Sequence, residues 1–270
     1  MKAHIGIMGC GWLGTPLAQA LLADGHSVRG TTTSLDKLES LGQLGIVPYM
    51  VALTEKGVEG PISDFLEDLD ILIINVPPKF RGDHKENYVR KIQFVLASAN
   101  TAEIGRIIFV GSTSVYGGAS GEVTEDTLPL PDTESGRQLL AAEKSFSEYP
   151  KFRTVILRMA GLIGPDRHPV TSLSGKMGLS NGNDPINLVH LFDCIEIIRV
   201  LIDLDQWDST YNVVYPFHPP KAEYYAKEAL KRGLPPPQYL DGKGKVGKMV
   251  TSIKTLNGEP FRYRTSIEGQ

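Results

Sequence analysis

The chain has 270 residues, enough to bury a full-sized core without cross-links or a structural metal, which excludes a disulfide scaffold or mini-protein. With 28 basic against 31 acidic side chains the net charge is −3, and the absence of any basic block argues against a nucleic-acid partner or a polybasic membrane role. Cys10 and Cys194 are the two cysteines, far apart and in no CxxC, which suits a reducing, cytoplasmic setting. Apolar runs such as residues 71–74 (ILII) fall far short of the roughly 18 residues of a membrane span, so no membrane association is expected. The apolar stretch after Lys2 meets a glycine-rich turn by Gly9, which leaves no room for a signal-peptide core, and the mature chain is expected to start near Met1.

Residues 4–8 read as a short apolar strand, 9–14 as a tight turn, and Leu17, Leu21 and Leu22 as the buried stripe of a helix. Thr15 is placed to cap that helix, Pro16 sits where a missing N–H does no harm, and Gly25 ends it. A strand over 27–31, a helix around 35–44, and strands near 47–53 and 71–76 follow. A helix around 85–100, a strand over 106–110, a helix around 134–149 and a strand over 154–157 continue the alternation. Strands that are apolar throughout and alternate with helices predict an α/β protein with a parallel sheet covered on both faces.

Past Gly164 the pattern weakens into a loop rich in Gly, Ser, Pro and Asn, followed by an apolar helix over 191–204 and a strand over 211–214. The tail from Pro216 is mixed, with Pro235, Pro236 and Pro237 as a hinge or spacer. The expected organisation is a doubly wound, Rossmann-type sheet domain over 1–163, rejoined by 187–214, with 164–186 and 215–270 as a small C-terminal substrate domain or cap.

Gly9, Gly11 and Gly14 stand as GxGxxG after a strand, at the start of a helix and within one strand–helix–strand unit. In that setting the glycines let the backbone approach a pyrophosphate, and Trp12 and Leu13 supply helix N-terminal N–H groups to it, so the unit predicts a bound NAD or NADP. An ordinary tight turn is the alternative. The end of the second strand holds Arg29, Thr31, Thr32 and Thr33 with no carboxylate before Asp36, which favours NADP over NAD. Equally open is that Arg29 points to solvent and the threonines cap the next helix. Asn75, Val76 and Pro77 follow a buried strand at its carboxyl end, where doubly wound sheets bind ligands, and Lys79 and Arg81 in the same loop are placed to meet an anionic substrate.

Residues 106–117 (RIIFVGSTSVYG) resemble the SSxxVYG signature of the extended short-chain dehydrogenases/reductases, the NAD(P)-dependent epimerase/dehydratase group. In the same order, residues 157–165 (LRMAGLIGP) resemble that group's RxxNxYGP stretch, 187–193 (NLVHLFD) its VHVDD segment, and 211–213 (YNV) its YNV strand. The resemblance covers most of the chain to about residue 215 and is strongest to atypical members. It implies an oxidoreductase, epimerase or dehydratase acting on a small sugar-like or nucleotide-sugar-like substrate, and a homodimer through the helices around 85–100 and 134–149.

The resemblance also implies a Ser or Thr that polarises the substrate oxygen, which falls on Ser112, and a Tyr–Lys pair spaced YxxxK on the next helix as the acid/base. This chain departs from the pattern there: the Tyr position holds Ser135 and the Lys position Leu139, with no tyrosine between Tyr116 and Tyr149. Tyr116, at the mouth of the same strand, is the candidate replacement. Arg167, His168 and Lys176 lie in the stretch that the resemblance makes substrate-facing. The histidines are expected to be structural, His190 as a helix cap, and no His, Cys or carboxylate spacing predicts a metal. Two functions stay open: an enzyme with rearranged proton chemistry, or a non-catalytic NADP-binding redox sensor or regulator.

Overall fold

The computed structural model describes residues 2–78, 86–240 and 246–268. One seven-stranded parallel sheet contains β1 (His4–Met8), β2 (Ser27–Thr32), β3 (Val47–Met50), β4 (Ile71–Ile74), β5 (Arg106–Ser112), β6 (Arg153–Met159) and β7 (Ser209–Val213). Their spatial order is β7, β6, β5, β4, β1, β2, β3, so the winding runs outward from β1 one way and from β4 the other. Right-handed crossovers on the two halves place their helices on opposite faces. The helices of the sheet domain are α1 (Gly14–Ala23), α2 (Asp36–Gln43), α3 (Ile62–Leu66), α4 (Tyr88–Thr101), α5 (Glu134–Ser145) and α7 (Leu191–Asp203), while α6 (Pro169–Leu173) and α8 (Lys221–Lys231) pack together away from it. Helix α1 packs on α7, and α4 on α5. With both faces covered, β4 is buried at every residue, which is why it reads as an unbroken apolar run.

Local chemistry moves several predicted boundaries. Thr15 lies inside α1 rather than capping it: its N–H bonds to the Gly11 carbonyl at 3.0 Å, so the glycine turn winds directly into the helix and leaves Leu13 as an N-cap with no side-chain bond. Helix α5 stops at Ser145 and tightens into the turn Phe146–Glu148, because Pro150 disfavours a helical Tyr149 and the Phe146 ring packs on Phe109 at 5.1 Å. The strand expected over 47–53 breaks at Val51, and Ala52–Thr54 pairs antiparallel with Gly57–Glu59 instead.

A second, smaller core forms where Ile163, Val170 and Ile186 meet Tyr224, Tyr225 and Ala229 of α8. Helix α8 lies in the tail that gave no clear pattern, yet Tyr224, Tyr225, Glu228 and Ala229 fall on one helical face. The proline run is pinned, since the Pro235 carbonyl accepts bonds from the Gly175 N–H and the Ser174 hydroxyl. After it the chain returns to the large domain. Lys248–Val250 pairs parallel with Gly121–Val123, and Asn187 holds that strand by donating to the Lys248 carbonyl (2.9 Å) and accepting from the Val250 N–H (2.7 Å). Further on, the buried Asp193 carboxylate accepts the N–H groups of Arg264 and Thr265.

Inside the large core a polar network joins α5, β6, β7 and the turn after β5. Arg158 pairs with Glu143 at 2.7 Å and donates to the Tyr116 hydroxyl, which in turn donates to Asn212 Oδ1, both at 2.9 Å. Removing one member of a buried pair leaves a charge without its partner. Replacing Arg158→Met is expected to lower unfolding stability by about 3 kcal/mol in urea titrations, and adding Glu143→Leu to recover part of that loss. A double variant no more stable than the single one would show that the two side chains do not act as a pair.

Candidate functional site

The winding reverses between β1 and β4, so at their carboxyl ends the chain leaves the sheet on both sides of a crevice. The glycine turn is fastened from each side. The Gly9 N–H donates to Thr31 Oγ1 (2.9 Å), the Cys10 N–H to the Thr31 carbonyl (2.8 Å), and Asn75 Nδ2 to the Gly9 carbonyl (3.1 Å). Gly9 adopts φ +105°, and a Cβ on Gly14 would stand 2.2 Å from the Gly9 carbonyl oxygen, so neither position tolerates a side chain. Gly11 differs. No atom lies within 4 Å of the place its Cβ would take, so its bareness keeps open the space in front of the helix.

A cavity of about 380 Å³ runs from this turn along the end of β2. Gly9, Gly11, Thr31, Thr32 and Thr33 line one wall, and Asn75, Val76 and Pro77 the other. Beyond it the turn continues with the half-buried Trp12 and the buried Leu13 and Gly14. The Trp12 indole packs over Gly164, and the exposed Arg167 guanidinium lies 5.0 Å from its ring centre. Reasoning from sequence missed Lys37, Val51, Ala52, Leu53, Tyr88 and Lys91, which line the same cavity. A signal for Lys37 was present in its place, four residues after Thr33 and in the first turn of the helix that follows this strand end. Tyr88 and Lys91 are already engaged, the former donating to the Val76 carbonyl at 2.7 Å and the latter paired with Glu86.

Three expectations are corrected. Arg29 stands opposite Gly6 in the sheet register, back from the strand's carboxyl end, and its guanidinium donates to the carbonyls of Asp64, Phe65 and Glu67 at the end of α3. It completes a helix terminus instead of meeting a phosphate. The Tyr116 hydroxyl is enclosed by Arg158 and Asn212, burial pushes its pKa up, and it lines neither this cavity nor the next. His168 caps α6 by accepting the Val170 N–H at Nδ1, while Nε2 meets the Tyr224 hydroxyl at 3.0 Å. Because that hydroxyl donates to the Ile267 carbonyl, Nε2 is the protonated nitrogen; burial, then the Arg232 charge, pushes the His168 pKa down to about 4 and keeps the ring neutral at pH 7. It is part of the small core.

The other expected residues fall as follows. Ser112 accepts the Ser114 N–H at 3.1 Å, which leaves its own O–H available as a donor. Ser135 and Leu139 stand in the first turns of α5, Leu139 buried, so a Tyr–Lys pair is absent from the face where the resemblance implies it. Lys176 is exposed and lines neither cavity, and Lys79 and Arg81 lie outside the described residues. His190 caps α7, accepting the Phe192 N–H. A second cavity, of about 630 Å³, lies between the turn 117–120 and the cap, with Thr113, Asp184, Lys221, Tyr225 and Lys248 in its walls. Among the described residues no group of three His, Cys, Asp or Glu side chains is placed to hold a metal ion, and no helix is long and apolar enough to cross a membrane.

No family model matches the chain. It is 38% identical over 263 residues to protein YeeZ of Escherichia coli (strain K12), an alignment that takes in 96% of this chain and 95% of that protein. Its fold is shared by MoeE5 in complex with UDP-glucose and NAD, at a TM-score of 0.78 and 19% identity, over 98% of this chain and 95% of the other. UDP-glucuronic acid 4-epimerase from Bacillus cereus in complex with NAD matches equally, at 0.78 and 18% identity, over 96% and 92%. At those identities the solved structures speak for the fold alone.

Replacing Tyr116→Phe is expected to cost about 2–3 kcal/mol of stability, the two buried hydrogen bonds to Arg158 and Asn212, and to leave affinity for a nicotinamide dinucleotide unchanged. A thermal melt and a dinucleotide titration check the two halves, and a large loss of affinity would return the hydroxyl to the site.

Proposed function

This chain belongs to the YeeZ family of atypical extended short-chain dehydrogenases/reductases, and on that footing we propose that it binds NADP(H) in the crevice and acts as an oxidoreductase or epimerase. Its substrate in this reading is a small, hydroxylated, sugar-like molecule held in the cleft between the turn 117–120 and the cap. The observation that carries the reading is the open space at Gly11, beside a helix that begins without a side-chain cap and with no acidic residue in its first turn. The uncapped N–H groups and positive dipole of α1 suit a pyrophosphate, and a Cβ at Gly11 would fill the approach. When bound, the nicotinamide supplies hydride transfer. Thr32, Thr33 and Lys37 would then face the adenosine ribose, where a cation and hydroxyls suit a 2′-phosphate better than a free hydroxyl; the carboxylate in the same lining, Glu86, is paired with Lys91.

Ser112, outside both cavity linings but next to Thr113 in the wall of the cleft, retains an O–H that would polarise an oxygen, while the acid/base step falls to groups of the cleft rather than to a YxxxK pair. The nucleotide sugar in MoeE5 and the sugar named in the Bacillus cereus epimerase support a sugar-like ligand class. One set of residues favours the non-catalytic alternative, an NADP-binding sensor or regulator: Ser135 and Leu139 replace the acid/base pair, and Tyr116 is locked into the core. Turnover of bound NADPH by any sugar-like substrate under single-turnover conditions would exclude that alternative.

Trp12 reports on cofactor binding from inside the turn, and Trp207, engaged with Asp205 at the far side of the sheet, serves as reference. NADPH is expected to quench Trp12 emission saturably, and Gly11→Val to abolish the quenching while the melting curve stays unchanged. An unaltered titration in that variant would overturn the assignment of the crevice. NADPH is expected to bind about tenfold more tightly than NADH, a difference that Lys37→Ala removes, as for one charge-assisted phosphate contact.

A further inference from the structure

One wall of the second cavity is formed by Val246, Gly247 and Lys248, where the C-terminal segment returns to pair with the strand Gly121–Val123 beyond the turn that follows β5. Two ammonium groups and one carboxylate share its walls. Lys221 is neutralised by Asp184 at 3.0 Å, and the same carboxylate accepts the Gly247 N–H at 2.8 Å. Lys248 is half-buried and donates to the Gly117 carbonyl at 2.6 Å, but among the described residues it forms no ion pair. Burial disfavours its charge and Lys221 repels it; Asp132 pulls the other way without reaching ion-pair distance. Among the described side chains lining the cleft Lys248 is thus the cation without an ion pair: the Asp132 carboxylate, beside Gly117 and Gly118 and outside the lining, acts on it only at longer range, and a partly buried charge held that way is costly. Thr113 and Tyr225 add hydroxyls to the same walls, whereas the Asn187 amide is already occupied by the strand.

We propose that the ligand of this cleft carries an anionic oxygen group, phosphate or carboxylate, and that Lys248, delivered by the C-terminal strand, is the residue that holds it. The inference rests on the reading above only in taking this cleft as the substrate's place. A purely structural lysine, tethering the strand to Gly117, would be indifferent to anions. A binding lysine has two of its three N–H donors to offer once the Gly117 carbonyl has taken one.

The test is amine acetylation of the full chain, read lysine by lysine by mass spectrometry, with glucose 6-phosphate, glucuronate or neutral glucose present at millimolar concentration. One or both anionic sugars are expected to slow acetylation of Lys248 about fivefold, glucose not at all, and the exposed Lys56 and Lys151 are expected to react at one rate throughout. The two anionic arms tell phosphate from carboxylate. No protection by either, or the same protection by glucose, overturns the proposal. In a second measurement the anion-dependent rise in melting temperature disappears in Lys248→Met and returns in Lys248→Arg; if the first variant does not fold, the acetylation of the unaltered chain still decides. Running each arm with NADPH separates the two readings. Absent Trp12 quenching with Lys248 still protected refutes cofactor binding alone, and quenching without protection refutes this inference alone.

Discussion

The close approach of α1 to the end of β1 is the constraint on which the rest of the molecule depends. The helix begins so near the strand that a single methyl group on Gly14 would overlap the Gly9 carbonyl. That contact is sustained from outside the turn, by Thr31 from β2 and Asn75 from the loop after β4, so the crevice is held open by its two flanking strands. Four consecutive buried residues in β4 and the covered faces of the sheet make those flanks rigid. A loop of glycines would be a mobile loop elsewhere. Here it becomes a fixed mouth at the N-terminus of α1, its own Gly9, Cys10 and Gly11 N–H groups spent on Thr31 and on the turn.

A second theme is how many polar residues that look chemical are engaged in holding the structure together. Arg29 closes the end of α3, Tyr116 is gripped by Arg158 and Asn212, and His168 caps α6 while bonding Tyr224. Each is a buried or half-buried polar group whose hydrogen bonds are met inside the protein, and leaving any of them unmet would cost more than the bond itself contributes. The groups left facing the cavities are fewer: the Thr31–Thr33 run and Lys37 in the first, and Thr113, Lys221, Tyr225 and Lys248 in the cleft. Function has to be read from that smaller set.

The C-terminal segment joins these two halves. Asn187 and Asp193 clamp it through backbone N–H and carbonyl groups, which fixes its path whatever its own side chains are. One consequence is that a lysine near the end of the chain shares a wall with a turn more than a hundred residues earlier, the Lys248 ammonium reaching the Gly117 carbonyl.

The sequence by itself determined the layered α/β class, the alternation of strands and helices along the chain and the glycine turn, because these depend on local periodicity and on backbone conformations that few residues allow. It also exposed the missing acid/base pair, since Ser135 and Leu139 occupy those positions whatever the packing. Tertiary structure alone decided which polar side chains remain available. Arg29 and Lys37 are both cations on or just beyond β2, yet one stands mid-strand and bonds three carbonyls at the end of α3 while the other faces the cavity, a difference set by register and by the place of the neighbouring helix. It decided as well that α8 and the C-terminal strand belong to the cleft, because their amphipathic faces and clamping bonds acquire a partner only when distant parts of the chain meet.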